Sequence, residues 1–178
     1  MIILGIDPGL KNLGWAKFDT NTNSFVKFGK YDLTENVNKQ QKTKYTLLVR
    51  NFIEKRPDIF ENIDQICIEM QMAAKFKVIA TAFQCFFWGK SCLISPRSVR
   101  CHFKISTGNY KKNKRASIDI IPNLPINKTN ITLFNSYPAS KKDDVADAIL
   151  IALYYSQHVD KEKLDTTLTK RKKKRRLT

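Results

Sequence analysis

Apolar positions come first as a dense run and later at helical spacing. The opening stretch MIILGI is almost wholly apolar and ends on Asp7, followed at once by Pro8-Gly9. Such a short Ile-rich run predicts a buried strand. Two more strand-like stretches, LGWAKFD and SFVKFGKYDL, lie on either side of the Asn-rich turn TNTN, so the first thirty-odd residues predict an antiparallel meander. Tyr45, Leu48, Val49, Phe52 and Ile53 then recur at the spacing of an amphipathic helix that stops near Pro57. IDQICIEM predicts a short strand ending near Glu69, and the stretch from Gln71 runs as a long, mostly apolar helix until Gly89. SCLIS predicts a buried strand stopped by Pro96. KKNKRASIDIIP predicts a short helix, and the segment from Asn123 to Pro138 an Asn/Pro-rich connection. Ser140, with Asp143 three residues on, reads as the cap of a last helix over KKDDVADAILIALYYSQHV. Strands first, then helices and strands in alternation, predict an α/β domain: a mixed sheet with an antiparallel N-terminal meander, flanked by helices.

Composition narrows the partner. The chain has 178 residues, of which 1–160 predict one domain and 161–178 a basic, disordered tail ending in KRKKKRR. Thirty-two Lys and Arg against 16 Asp and Glu give a formal charge of +16, which favours a polyanion, nucleic acid before an anionic membrane. No apolar run reaches transmembrane length and the N-terminus lacks a signal-peptide layout, so an intracellular protein with no membrane partner is expected. Cys67, Cys85, Cys92 and Cys101 are spread singly, as reduced core thiols are, and His102 and His158 are too isolated to complete a zinc site. Between Arg97 and Arg115 there are seven Lys or Arg and no acid. Arg97, Arg100, Lys104, Lys111, Lys112 and Arg115 are therefore candidate DNA-phosphate contacts, with a merely solvated basic surface as the ordinary alternative.

The candidate chemistry lies in four carboxylates. Asp7 and Glu69 close predicted core strands, and Asp144 and Asp147 share one face of the last helix. Each has an ordinary reading: a turn cap for Asp7, a solvated strand end for Glu69, and a helix-dipole role for Asp144, as for its neighbour Asp143. Asp147 resists one, because Val145, Ala146, Ala148 and Ile149 surround it. Brought together, the four would repel one another unless divalent cations supply the counter-charge. Mg²⁺, or Mn²⁺, takes a few carboxylates together with water and substrate phosphate, and two such ions serve an in-line displacement at phosphorus. The phosphate would come from a nucleic-acid backbone rather than a small-molecule substrate.

GIDPGLKNLGWA, ICIEMQ and DDVADAILIAL resemble the three acidic motifs of the RuvC-type Holliday-junction resolvases, in order and spacing, over residues 1 to about 157. ISPRSVRCHFKISTGNYKKNKRA is similar to that family's Pro-x-x-Val-Lys segment, Thr-Gly loop and catalytic lysine. Aligned on Thr107-Gly108, the lysine falls at Lys114, with Lys111 and Lys112 as competitors. The Lys/Asn/Ile-rich composition and basic tail resemble the poxvirus branch. The resemblance implies an RNase H-like fold and a metal-dependent endonuclease, a homodimer that places two symmetric nicks across a four-way DNA junction. It implies Asp7, Glu69, Asp144 and Asp147 as metal ligands for two ions, 5′-phosphate and 3′-hydroxyl products, and work at cytoplasmic sites of viral DNA replication. The sequence departs from the bacterial pattern at MQMAAKFK and at Arg100, which stands where the bacterial segment has Lys. Three rivals remain: a nuclease acting on other branched DNA or on RNA–DNA hybrids, a non-catalytic DNA-binding module, and an actin-like ATPase, whose two lobes 178 residues cannot supply.

Overall fold

Alternation along the first strand decides which side of the sheet each later element covers. In β1 (Ile2–Asp7) Leu4 and Ile6 point one way, and Ile3, Gly5 and Asp7 the other. The computed structural model describes residues 1–124, 126–138 and 142–158. In it β1 pairs antiparallel with β2 (Leu13–Asp19), which pairs antiparallel with β3 (Ser24–Tyr31). On its other side β1 pairs parallel with β4 (Gln65–Glu69), and β4 with β5 (Ser91–Ile94), giving the order β3-β2-β1-β4-β5. The expected meander within a mixed sheet is thus present.

Leu4 and Ile6 pack beneath α1 (Tyr45–Lys55) and α3 (Ala74–Phe86), against Leu48, Phe52, Ile79 and Phe83. The short α2 (Pro57–Phe60) starts at the proline that ends α1. Ile3 and Cys67 face the other way, into a second core with Phe134, Val145, Ile149 and Leu153. That core is closed by α7, residues 142–158, which carries Asp144 and Asp147.

Two glycines let α7 lie directly on the sheet backbone. A Cβ at Gly5 would overlap the Ala148 carbonyl, and one at Gly14 the Asp144 carbonyl. Gly14 is opposite Asp7 in the β1–β2 register. The strand end and the helix start that bear acidic residues are therefore held against each other.

The structure differs from the sequence expectations in several places. The apolar stretch from Gln71 becomes helical only at Ala74, because Gln71–Ala73 leave β4 as a connection along the acidic end of the sheet. β5 is an edge strand, with Leu93 39% exposed, where a buried strand was expected. Ser95 caps an unexpected helix, α4 (Pro96–His102), its side chain accepting from the Ser98 amide. The segment read as a connection contains α6 (Lys128–Ser136), capped by Asn127 and pinned by buried Phe134 and by Asn130 Nδ2 donating 2.7 Å to the Phe25 carbonyl. Two of the scattered thiols, Cys67 and Cys92, are register partners on β4 and β5, with sulfurs 3.6 Å apart. The two isolated histidines also meet, His102 and His158 having ring centroids 4.8 Å apart. Ser140 and the tail 161–178 lie outside the described residues, so the expected cap and the boundary after residue 160 do too. No helix among the described residues is long and apolar enough to cross a membrane.

Candidate active site

Parallel pairing of Ile6 with Ile68 carries Asp7 and Glu69 to the same end of adjacent strands. Both point to the α7 side, because Gly5 and Cys67, two residues earlier, face it. Asp144 and Asp147, one turn apart at the start of α7, meet them there. All four line one cleft of about 790 Å³.

The opposite wall is built by α5 (Tyr110–Ile120), whose start is fixed by the Thr-Gly loop. Gly108 takes φ +72°, Asn109 accepts from the Lys112 amide, and Asn113 Oδ1 accepts 2.7 Å hydrogen bonds from both the amide and the hydroxyl of Thr107. So anchored, α5 presents Tyr110, Asn113, Lys114 and Ser117 to the cleft, at the i, i+3, i+4, i+7 spacing of one helix face. Lys111 and Lys112 are exposed and do not line it. Of the expected phosphate contacts, only Arg100 lines the cleft. Arg97, Lys104 and Arg115 are exposed outside it, and Arg115 stands 3.8 Å from Asp119.

Lys114 Nζ pairs with Asp143 and lies 5.3 Å from the centroid of the Tyr110 ring. Asp143 thus does more than favour the helix dipole: it holds the lysine at the mouth of the site. Its other oxygen, Oδ1, is buried with no hydrogen-bond partner. Burial opposes the Lys114 charge, but the hydrogen bonds to Asp143 and Tyr110 outweigh it and keep the ammonium above the ordinary lysine value.

The acidic floor lacks comparable compensation. Burial first, then Glu69 and Asp147, push the Asp7 carboxyl well above the usual carboxylate range. Burial also raises Glu69, against hydrogen bonds from Asp7 and Gln71 and the charges of Arg100 and Lys114. Asp144 rises to about 6 through burial and Asp143, opposed by Lys114 and Lys30. Asp147 rises to about 7 through burial and Glu69, opposed by the Ser117 hydroxyl and Lys114. Gln71, which the motif reading passed over, donates from Nε2 to Glu69 Oε2 at 2.6 Å and to Asp7 Oδ1 at 3.3 Å.

Among the described residues no three His, Cys, Asp or Glu side chains form a ready-made metal cage. The donor set nevertheless suits a hard divalent ion. Its donors are all oxygens, they are crowded enough to hold protons near neutrality, and they open on a cleft. Mg²⁺ is held by one or two carboxylates completed by water and phosphate rather than by an all-protein cage.

A pH dependence follows. Native Asp144 and Asp147 keep protons that the unfolded chain releases near pH 4, so stability present below that pH is lost as pH rises through about 6 to 7. Denaturant unfolding in chelator should show stability falling between pH 5 and pH 8, with a shallower fall in Asp147→Asn. Added Ca²⁺ should restore stability at pH 8, where the carboxylates are ionised.

A family model described as Poxvirus A22 protein matches residues 1–161. The fowlpox virus resolvase in complex with substrate Holliday junction DNA is similar at TM-score 0.66 and 23% identity, over 89% of this chain and 99% of that one. The same virus's Holliday junction resolvase in a second structure is similar at TM-score 0.64 and 25% identity, over 89% and 99%. The yeast mitochondrial Holliday junction resolvase follows at 0.63 and 18%, over 84% and 76%. The expected RNase H-like resolvase fold is therefore the observed one. No curated protein matches the chain.

Proposed function

The chain belongs to the Poxvirus A22 protein family, and from that membership and the acidic cleft we propose that it is a Holliday-junction resolvase, an endonuclease that nicks four-way DNA junctions symmetrically. One observation carries the chemistry: carboxylates from β1, β4 and α7 converge beneath a paired lysine on α5. The solved fowlpox proteins, which have the same fold over nearly their whole length, support the junction as substrate.

Asp7, Glu69, Asp144 and Asp147 would hold divalent cations, Mg²⁺ or Mn²⁺, two per site. The chemistry such ions supply when bound is charge stabilisation at the attacking and leaving oxygens of an in-line displacement at phosphorus. The protein's own groups do the rest. Asp7 shares the field of the other three acids, and Gln71 holds the Asp7 and Glu69 carboxylates in place. Lys114, kept charged at the cleft mouth by Asp143, meets the negative charge that builds on the phosphate oxygens, and Arg100 adds a second cation on the same wall. Lys114 is the catalytic lysine on this reading, since Lys111 and Lys112 face away.

A homodimer would provide the two cuts. Val78, Phe86 and Trp88, 44%, 46% and 87% exposed on and just after α3, are apolar side chains that a partner copy could cover. Residues 1–160 would be the resolvase domain and 161–178 a basic tail. The place of work in a poxvirus infection would be the cytoplasmic sites of viral DNA replication.

The test is a substrate panel with Mg²⁺: an immobile four-way junction, a linear duplex, a flap and an RNA–DNA hybrid. Paired symmetric nicks in the junction, with little cutting of the others, are expected. Preferential cutting of the hybrid or flap would keep the metal chemistry and change the substrate. Tight junction binding with no cutting of anything would leave a binding module.

A further inference from the structure

The acidic floor creates a problem that α5 alone does not solve. Even with divalent ions on that floor, the phosphates flanking the scissile one call for counter-charge along the strand's path, yet Lys111, Lys112 and Arg115 lie outside the cleft lining. Three lysines from other parts of the chain also line the cleft. Lys11 sits in the turn between β1 and β2, Lys42 just after the short turn of helix over Lys39–Gln41, and Lys75 in the first turn of α3. Some thirty residues separate each from the next in sequence. All three line the cleft, on segments distinct from the α4–α5 wall that carries Arg100 and Lys114.

Each of the three is exposed, and none is in a salt bridge among the described residues. Lys75 rests over the Phe76 ring, 4.9 Å from its centroid, which leaves the charge available to an anion. Asn12 is held by Lys30 at 2.8 Å, which steadies the turn presenting Lys11.

We propose that Lys11, Lys42 and Lys75 form the second wall of a phosphate channel, so that the backbone of the strand to be cut runs between them and the Arg100–Lys114 wall. The inference rests on the nuclease reading above and specifies how that site takes its substrate. Phosphate contacts of this kind position DNA without reading sequence, and each adds about 0.9 to the slope of log affinity against log salt.

The experiment compares two charge-matched triple variants, Lys11→Gln/Lys42→Gln/Lys75→Gln and Lys111→Gln/Lys112→Gln/Arg115→Gln. Binding of a synthetic four-way junction is measured in Ca²⁺ from 50 to 300 mM salt, after equal thermal stability has been confirmed. The channel predicts that the first triple loses roughly 2 to 3 from the salt slope and binds about 10- to 100-fold more weakly at 150 mM salt. The second triple should lose less than half as much. Equal losses would indicate diffuse charge rather than a wall, and a larger loss in the second would place DNA on the outer face of α5. Either result overturns the proposal. If the wild type shows no preference for the junction over linear duplex, the substrate reading fails instead, and the same two slopes measured on duplex still decide the channel.

Discussion

Asp7→Asn should abolish junction cleavage, by on the order of 10³-fold or more, while junction affinity stays within a few-fold of wild type. The substitution keeps the shape of the side chain and removes one ligand charge. Lewis-acid stabilisation of phosphoryl chemistry is worth several kcal/mol, and each 1.36 kcal/mol is tenfold in rate. Binding should survive because the groups that hold the phosphate backbone, Arg100 and the lysines of the two walls, are untouched. The same variant should be more stable than wild type in chelator. Asp7 is pressed against Glu69 and Asp147 and kept from water, so removing its ionisable group relieves a cost. A gain of about 1 kcal/mol would raise Tm by about 2–4 °C. Lost activity with gained stability separates a functional carboxylate from a structural one. Loss of both would mean that Asp7 is part of the scaffold.

Gly14→Ala should be the most damaging small change outside the acidic set. Its Cβ would overlap the backbone carbonyl of Asp144, and neither β2 nor α7 has a flexible side chain there to move aside. Overpacking of this kind costs about 1–3 kcal/mol. If α7 lifts to make room, Asp144 and Asp147 move with it, and a misplacement of about 1 Å can cost about 10²-fold in rate. Cleavage measured well below Tm should therefore fall by about that factor, through geometry rather than unfolding. Gly89→Ala is the control. Gly89 has φ +80° and open space around it, so its alanine variant should lose some stability but keep cleavage at the wild-type rate.

The acidic site was legible in the sequence because it follows from local rules. Strand alternation puts Asp7 on the same face as Ile3 and Gly5, and three-residue spacing puts Asp144 beside Asp147. The choice of Lys114 over Lys111 and Lys112 was also open to reading, since Tyr110, Asn113, Lys114 and Ser117 mark one helical face. The basic run obscures that phase, because its charge does not depend on direction. The missing α6 has a similar cause. Its Asn and Pro content reads as loop, yet Asn127 works as a cap and Asn130 reaches a strand carbonyl. Other features had no local signal. Nothing around Lys42 in the sequence indicates that it lines the same cleft as Lys114. Nor does the spacing of Cys67 and Cys92 show that they are neighbours across a parallel pair. Such meetings depend on strand order and on crossover path, which periodicity does not encode.

The claim on which the rest depends is that the four carboxylates hold divalent ions at the cleft floor. Anomalous diffraction from crystals grown with Mn²⁺ tests it without reference to any substrate. Two Mn²⁺ peaks are expected in contact with Asp7, Glu69, Asp144 and Asp147, and none in crystals of Asp7→Asn at the same concentration. An empty cleft in the wild type, or Mn²⁺ bound only on other acidic surfaces, would contradict it.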